Sequence, residues 1–204
     1  MRLKLLKSKQ LFLLRKKREL LAKIQRLERE KIQRLAREKG EAVSYIDKTK
    51  LWIREARFNH YEVSPRQIAE SHLSRMKIGD RSEALFEKYF SDIFPGKKLF
   101  RSSNEHAPFC DALINRDDGE ILTVVEIKSS YQPQIVPMNR CAYFSMKYRL
   151  CPIGGKIVSF LYDGSKEFAN RIFISDMNQT PEIIRTLSDG RVLCKIQIER
   201  SVAI

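Results

Sequence analysis

CDALINRDDGEILTVVEIKSS, Cys110–Ser130, is the stretch that decides how this chain is read, because the apolar strand at its end carries two charges on one face. Side chains alternate along a strand with period two, so Glu126 and Lys128 point one way while Val125 and Ile127 point the other. One face is a core and the other holds a charged pair. Taken alone, Glu-x-Lys is a surface ion pair on a half-solvated sheet, worth well under about 1 kcal/mol. The neighbouring residues decide between that and a site.

Asp118-Gly119 inside NRDDGE is a hairpin signal. A turn centred near Asp117 and Asp118 sets Asp111 opposite Val124 and makes Glu126 its diagonal neighbour, about 7–8 Å away at Cα. Asp111, Glu126 and Lys128 then share a face. Two carboxylates at the end of an apolar hairpin repel each other and lose hydration, a cost that a hard cation removes. Mg²⁺ takes one or two carboxylates and keeps several waters. A lysine beside it can orient or deprotonate an attacking water, which completes the parts needed to hydrolyse a phosphodiester.

Working outward, the patterns predict an α/β arrangement. Ser64, Pro65 and Gln67 read as a capping box opening a linker helix to Lys77. Gly79 interrupts it, and Asp80 with Glu83 repeats the signal ahead of ALFEKYFSDIF, whose buried face is Leu85, Phe86, Tyr89, Phe90 and Phe94. Strands follow at 98–103, 109–115 and 120–128, then a helix at 138–150 and strands at 156–162 and 171–175. A short helix at 181–188, opened by Thr180-Pro181, and a strand at 191–199 complete the chain.

The order helix with Glu83, strand with Asp111, hairpin, strand with Glu126-Ile127-Lys128 resembles the PD-(D/E)XK nuclease superfamily, with a motif layout nearest to archaeal Holliday-junction resolvase-like nucleases. Pro108 lies three residues before the aspartate rather than next to it. Gly79 followed four residues later by Glu83 matches the helix motif of resolvase-like members. The resemblance spans roughly 77–175. It implies a restriction-endonuclease-like core and a metal-dependent deoxyribonuclease leaving 5′-phosphates. Glu83, Asp111, Glu126 and the Ile127 carbonyl would hold Mg²⁺, with Mn²⁺ able to substitute, and Lys128 would manage the water. Exonuclease branches carry Gln-x-x-x-Tyr on the following helix; here Asn139 and Tyr143 stand at that spacing. The cluster-ligating cysteines of CRISPR-associated exonucleases are absent. Ser129, Ser130, Tyr131, Gln132 and Gln134 follow the lysine, and Ser129 and Gln132 are candidate DNA contacts.

Charge is distributed unevenly. Residues 1–60 hold 19 Lys/Arg against 7 Asp/Glu, whereas 61–204 hold 20 against 18. From Leu3 to about Arg57 there is no proline and one glycine, Gly40, so the composition predicts one long helix, hinged if anywhere at Gly40. Apolar residues recur every eleven positions, as Leu13, Ile24, Leu35 and Ile46 and again as Leu21, Ile32 and Val43, a period that keeps a stripe nearly straight. Such a stripe wants a partner, and homodimerisation is one reading. Lys4, Lys7, Lys9, Arg15, Lys16, Lys17 and Arg18 as an arm for DNA phosphates is another, and the two are compatible. A targeting presequence fits less well, because Glu28, Glu30 and Glu38 come early. The organisation expected is a basic helix at 1–60 and a nuclease-like domain at 61–204.

Of the 204 residues 43% are apolar, enough for one packed domain plus an appendage. No run approaches the roughly 18–20 apolar residues of a membrane span, and lysines interrupt the leucines of MRLKLLKSKQLFLLRKK, unlike a secretory signal. The expected location is intracellular, cytoplasmic or nucleoid-associated. Cys110, Cys141, Cys151 and Cys194 show neither zinc nor iron–sulfur spacing and read as free thiols. His60, His72 and His106 are the only histidines; His106 precedes Asp111 and lies near the site in sequence. Trp52 reads as packing. There is no phosphate loop and no Gly-x-Ser-x-Gly. Two functions of different class fit: an endonuclease on branched or structured DNA, working as a dimer, and a non-catalytic nucleic-acid-binding or assembly protein built on the same scaffold.

Overall fold

The computed structural model describes residues 2–102, 110–117, 119, 122–150, 154–162 and 168–204, without the side chains of 2–15, 18, 52 and 55–60. The proline-free N-terminal sequence forms a single helix, α1 (Arg2–Asn59), which continues through Gly40. Next come β1 (His60–Val63), α2 (Glu70–Leu73), α3 (Ile78–Lys88), α4 (Phe90–Ile93), β2 (Leu99–Ser102), β3 (Ala112–Asn115) and β4 (Leu122–Ser130). β5 (Ile135–Met138), α5 (Arg140–Lys147), β6 (Gly155–Tyr162), β7 (Phe168–Asp176), β8 (Glu182–Thr186), β9 (Val192–Lys195) and β10 (Arg200–Ala203) complete it. The fold is mixed α/β. Among the described residues no helix is long and apolar enough to cross a membrane.

A seven-stranded sheet has the order β1-β2-β3-β4-β6-β7-β10, and a three-stranded sheet the order β5-β9-β8. Among the described residues β4 pairs with β6 in parallel and the other strand pairings are antiparallel. β4 is buried on both faces, which explains its nearly continuous apolar run. Val125 and Ile127 join Phe86, Phe90, Phe94, Val158, Phe160, Ile172 and Ile174 in one core. On the other face Ile157 packs with Val136, Tyr143, Phe144, Met146, Met177 and Cys194. Phe86 is fully buried and meets Phe90 and Phe94 edge-on, with ring centroids 5.7 and 6.3 Å away.

Two compact units divide the chain, Met1–Gly40 and Glu41–Ile204. Within the second, Ala42, Tyr45, Ile46 and Thr49 of α1 are buried, so the last third of the helix belongs to the packed domain. Within the first, Leu20, Leu21, Ile24, Leu27, Ile32 and Leu35 are exposed, and Arg26 pairs with Glu30 at 2.9 Å.

Several expectations are corrected. The linker helix from Ser64 does not form: β1 adds to the outer edge of β2, and only α2 is helical, with Ala69 at its N-cap. α3 begins two residues before Asp80, with Lys77 at the N-cap, so Asp80 sits in its first turn, where negative charge suits the helix dipole, and Gly79 lies inside the helix. The segment after Thr180-Pro181 is the strand β8, because Ile183 and Arg185 pair with β9. The last expected strand, 191–199, shortens to β9, and β10, beyond it, is not among the expected strands; the two join different sheets. Ala112 faces Val125, so the hairpin turn lies one residue later than expected, and the ladder continued by one step sets Asp111 opposite Glu126 rather than Val124. Asp118 itself, like Pro108, His106 and Cys151, lies outside the described residues.

Phe86→Ala is expected to cost about 3–5 kcal/mol of stability, since it empties the centre of the core between α3 and the sheet. Chemical denaturation of the full-length chain measures it.

Candidate active site

Asp111 stands just before β3, and its backbone N–H donates to the Val125 carbonyl at 3.0 Å. Its side chain turns across to β4, where Oδ2 accepts the Ile127 N–H at 2.5 Å. Two positions apart on β4, Glu126 and Lys128 meet directly, Nζ to Oε1 at 2.6 Å, with both side chains largely withdrawn from water. The period-two alternation of an apolar strand therefore brings the expected trio together.

Burial raises the Asp111 carboxyl from its usual 3.8 to about 7, and the adjacent Glu126 charge adds to the rise, against the pull of Lys128 and of the Ile127 N–H. Glu83 pushes it further upward. Burial works against the Lys128 ammonium, but Glu126 and Asp111 outweigh it and hold the lysine above its ordinary range. Lys128 thus remains a cation at neutral pH. As a cation it can donate hydrogen bonds to a water in the cleft.

Glu83, on the second turn of α3, lines a cleft of about 450 Å³ together with Asp111, Ile127, Lys128, Ser129 and Tyr131. Its Oε2 accepts from Arg101 Nη2 at 2.7 Å. Arg101 also pairs with Glu87 at 3.2 Å and donates to the Asp111 carbonyl. Among the described residues no group of three or more Asp, Glu, His or Cys side chains converges as a ready-made metal cage. The hard-oxygen donors present are the carboxylates of Asp111 and Glu126, with Lys128 supplying one positive charge against two negative. Burial first, and the Glu126 charge second, make a lone negative charge on Asp111 costly, and a divalent cation, which needs only one or two carboxylates, would offset both.

Of the remaining expected residues, Ser129 Oγ bonds Ser82 Oγ at 2.7 Å and so ties β4 to α3 beside the cleft. Gln132 is exposed, and its carbonyl accepts from Ser130 Oγ at 2.9 Å. Asn139 is the N-cap of α5, accepting the Ala142 N–H at 2.6 Å, and Tyr143 is buried in the core, so both have structural roles. Lys16 and Lys17 are exposed, while the side chains of Lys4, Lys7, Lys9, Arg15, Arg18, Trp52 and His60 lie outside the described residues. His72 is exposed on α2. Cys141 and Cys194 are free thiols, and Cys110 is buried.

Sequence reasoning missed Arg101 and Arg191. An arginine inside the short strand LFRS is the signal for the first, since a charge there needs partners. Arg191, in the β8–β9 turn, lines the cleft and is gripped by Asp189 at 2.6 and 2.7 Å. Nothing local marks it. Comparison of the chain with family models, curated proteins and solved structures returns no match.

The raised Asp111 has a sign for stability. Between about pH 4 and 7 the unfolded chain has released this proton and the folded chain retains it, so stability falls as pH rises through that window. Asn at 111 keeps an acceptor for the Ile127 N–H without the charge. In EDTA, Asp111→Asn is expected to melt higher than wild type at pH 8, with the gain shrinking towards pH 4. Thermal unfolding across that range checks it.

Proposed function

We propose that this chain is a metal-dependent deoxyribonuclease of the PD-(D/E)XK type, an endonuclease acting on branched or structured DNA, and that it works as a dimer. The observation that carries the reading is the meeting of Asp111, Glu126 and Lys128 at one end of the β3–β4 hairpin, with Asp111 and Lys128 lining a cleft and Glu126 buried behind them. Topology supports it. α3 and α4 lead into the antiparallel meander β2-β3-β4, and α5 then leads into β6, which returns parallel to β4. That is the order expected of a restriction-endonuclease-like core.

Asp111, Glu126 and the Ile127 carbonyl are the groups that would hold Mg²⁺ or Mn²⁺. Bound there, the ion supplies Lewis acidity to the phosphate and lowers the pKa of the attacking water. Lys128, held cationic by Glu126, donates hydrogen bonds to the water and to the charge that grows on the phosphoryl oxygens. Arg101 fixes the Asp111 backbone and holds Glu83 at the cleft wall through Oε2, so that Oε1 is the oxygen with which Glu83 would complete the metal set. Water attacks phosphorus, the 3′ oxygen leaves, and a 5′-phosphate remains. The basic stretch of α1 supplies phosphate contacts through its 15 Lys/Arg against 4 Asp/Glu in residues 1–40. A non-catalytic nucleic-acid-binding role rests on that helix alone and leaves the buried trio unused.

Wild type is expected to cleave branched DNA with Mg²⁺ and not in EDTA. Glu126→Gln should abolish cleavage with DNA affinity equal or higher, and Lys128→Ala should cut turnover more than binding. Gel assays over a panel of DNA structures, with anisotropy for affinity, decide this; equal cleavage by wild type and Glu126→Gln rejects the site.

Truncation separates the helix from the chemistry, provided it stops at Gly40, because removing residues to 58 would strip Ala42, Tyr45 and Ile46 from the core. A 41–204 chain should fold and cleave, but its DNA affinity should fall and depend less steeply on salt. An unchanged salt slope would mean that the helix does not touch DNA.

A further inference from the structure

Hydrolysis does not require the aromatic wall that the same cleft carries. The parallel register of β4 and β6 runs to Ser130↔Leu161, and one residue further on Tyr131 stands beside Tyr162. Their ring centroids are 5.5 Å apart, with 54° between the planes. Tyr162 is buried and fixed from behind by Phe168 at 5.8 Å. Tyr131 is 74% exposed. Both rings line the cleft that holds Asp111 and Lys128.

A single exposed tyrosine on a loop is ordinary. This one differs in three respects. Its turn is braced by the Ser130 Oγ bond to the Gln132 carbonyl and by the bridge between Gln132 and Ile135. Its ring has a buried aromatic partner. It also sits at the carboxyl ends of the two parallel strands, where α/β sheets place their ligands.

Resting on the nuclease reading, we propose that Tyr131, backed by Tyr162, stacks an unpaired base of the substrate next to the scissile phosphate. The site thereby takes strands that are single-stranded at the cleft, as at a flap or branch point, in preference to continuous duplex. A base inside duplex has both faces covered by its neighbours and must be unstacked before an aromatic ring can reach it, whereas an unpaired base offers a free face of any sequence. Arg191 at the cleft wall, held in place by Asp189, offers its remaining N–H groups to the adjoining phosphate.

Full-length protein, in EDTA, is mixed with a flap oligonucleotide carrying 2-aminopurine at the unpaired position, and with a continuous duplex of the same length. Wild type is expected to quench the flap fluorescence. Tyr131→Ala should lose the quench and weaken flap binding by about 10- to 100-fold while duplex binding stays close to wild type. Tyr131→Phe should match wild type, because stacking needs the ring and not the hydroxyl. Equal losses on flap and duplex, or full quenching by Tyr131→Ala, would overturn the inference. Adding Mg²⁺ to the same samples separates it from the reading beneath: Tyr131-dependent quenching without wild-type cleavage sinks the nuclease and leaves the stacking platform. Cleavage of flap and duplex that Tyr131→Ala slows to the same extent leaves the nuclease and sinks the platform.

Discussion

β4 and β6 lie side by side in parallel over seven paired positions, from Val124↔Gly155 to Ser130↔Leu161. A parallel pair cannot be closed by a tight turn; it needs a crossover. The chain supplies one in β5 and α5, and their apolar sides cover one face of the large sheet while α3 and α4 cover the other. β4 is therefore enclosed on both faces, and any charge it carries is taken out of water. The same pairing brings the carboxyl ends of two strands to one place, where the cleft opens.

Among the described residues, two groups of acids stand on and behind that cleft, and they differ in how their charge is met. Arg101 serves Glu83 at 2.7 Å and Glu87 at 3.2 Å, with Arg66 reaching Glu87 from outside at 3.6 Å. Lys128 serves Glu126 directly and Asp111 through space. A buried ion pair contributes little to stability once its desolvation is counted, and an extra carboxylate beside it costs more. Asp111 registers that cost in its raised pKa. Stability alone gives no reason for two carboxylates and one lysine here. A divalent cation gives one, and clustered perturbed groups in a cleft are what catalytic sites show.

The hairpin, α3, α5 and β6 were legible in the sequence because each has a strong period and local punctuation: Gly119 adopts φ +74° in the turn, and Asn139 caps α5. Asp111, Glu126 and Lys128 were legible through spacing alone. Their register was missed by two positions, because the alternation fixes which face a residue takes and leaves the turn to set the offset. β1, β5 and β10 escaped notice because they are four residues long and depend on partners distant in the chain, as His60 on Ser102 and Arg200 on Ile174. β8 was read as a helix because Thr-Pro opens helices as readily as strands and its residues are all exposed. Arg101, Arg191 and the Tyr131–Tyr162 pair act across elements, and no local pattern announces that.

All of this turns on whether the paired carboxylates bind a cation. Titration of the full-length chain with Mn²⁺, followed by the loss of the free-ion electron paramagnetic resonance signal, asks that without reference to any substrate. The account predicts an ion bound by wild type that Mg²⁺ displaces and that Asp111→Asn and Glu126→Gln each release. Binding indistinguishable among the three proteins, or none in wild type, would contradict it.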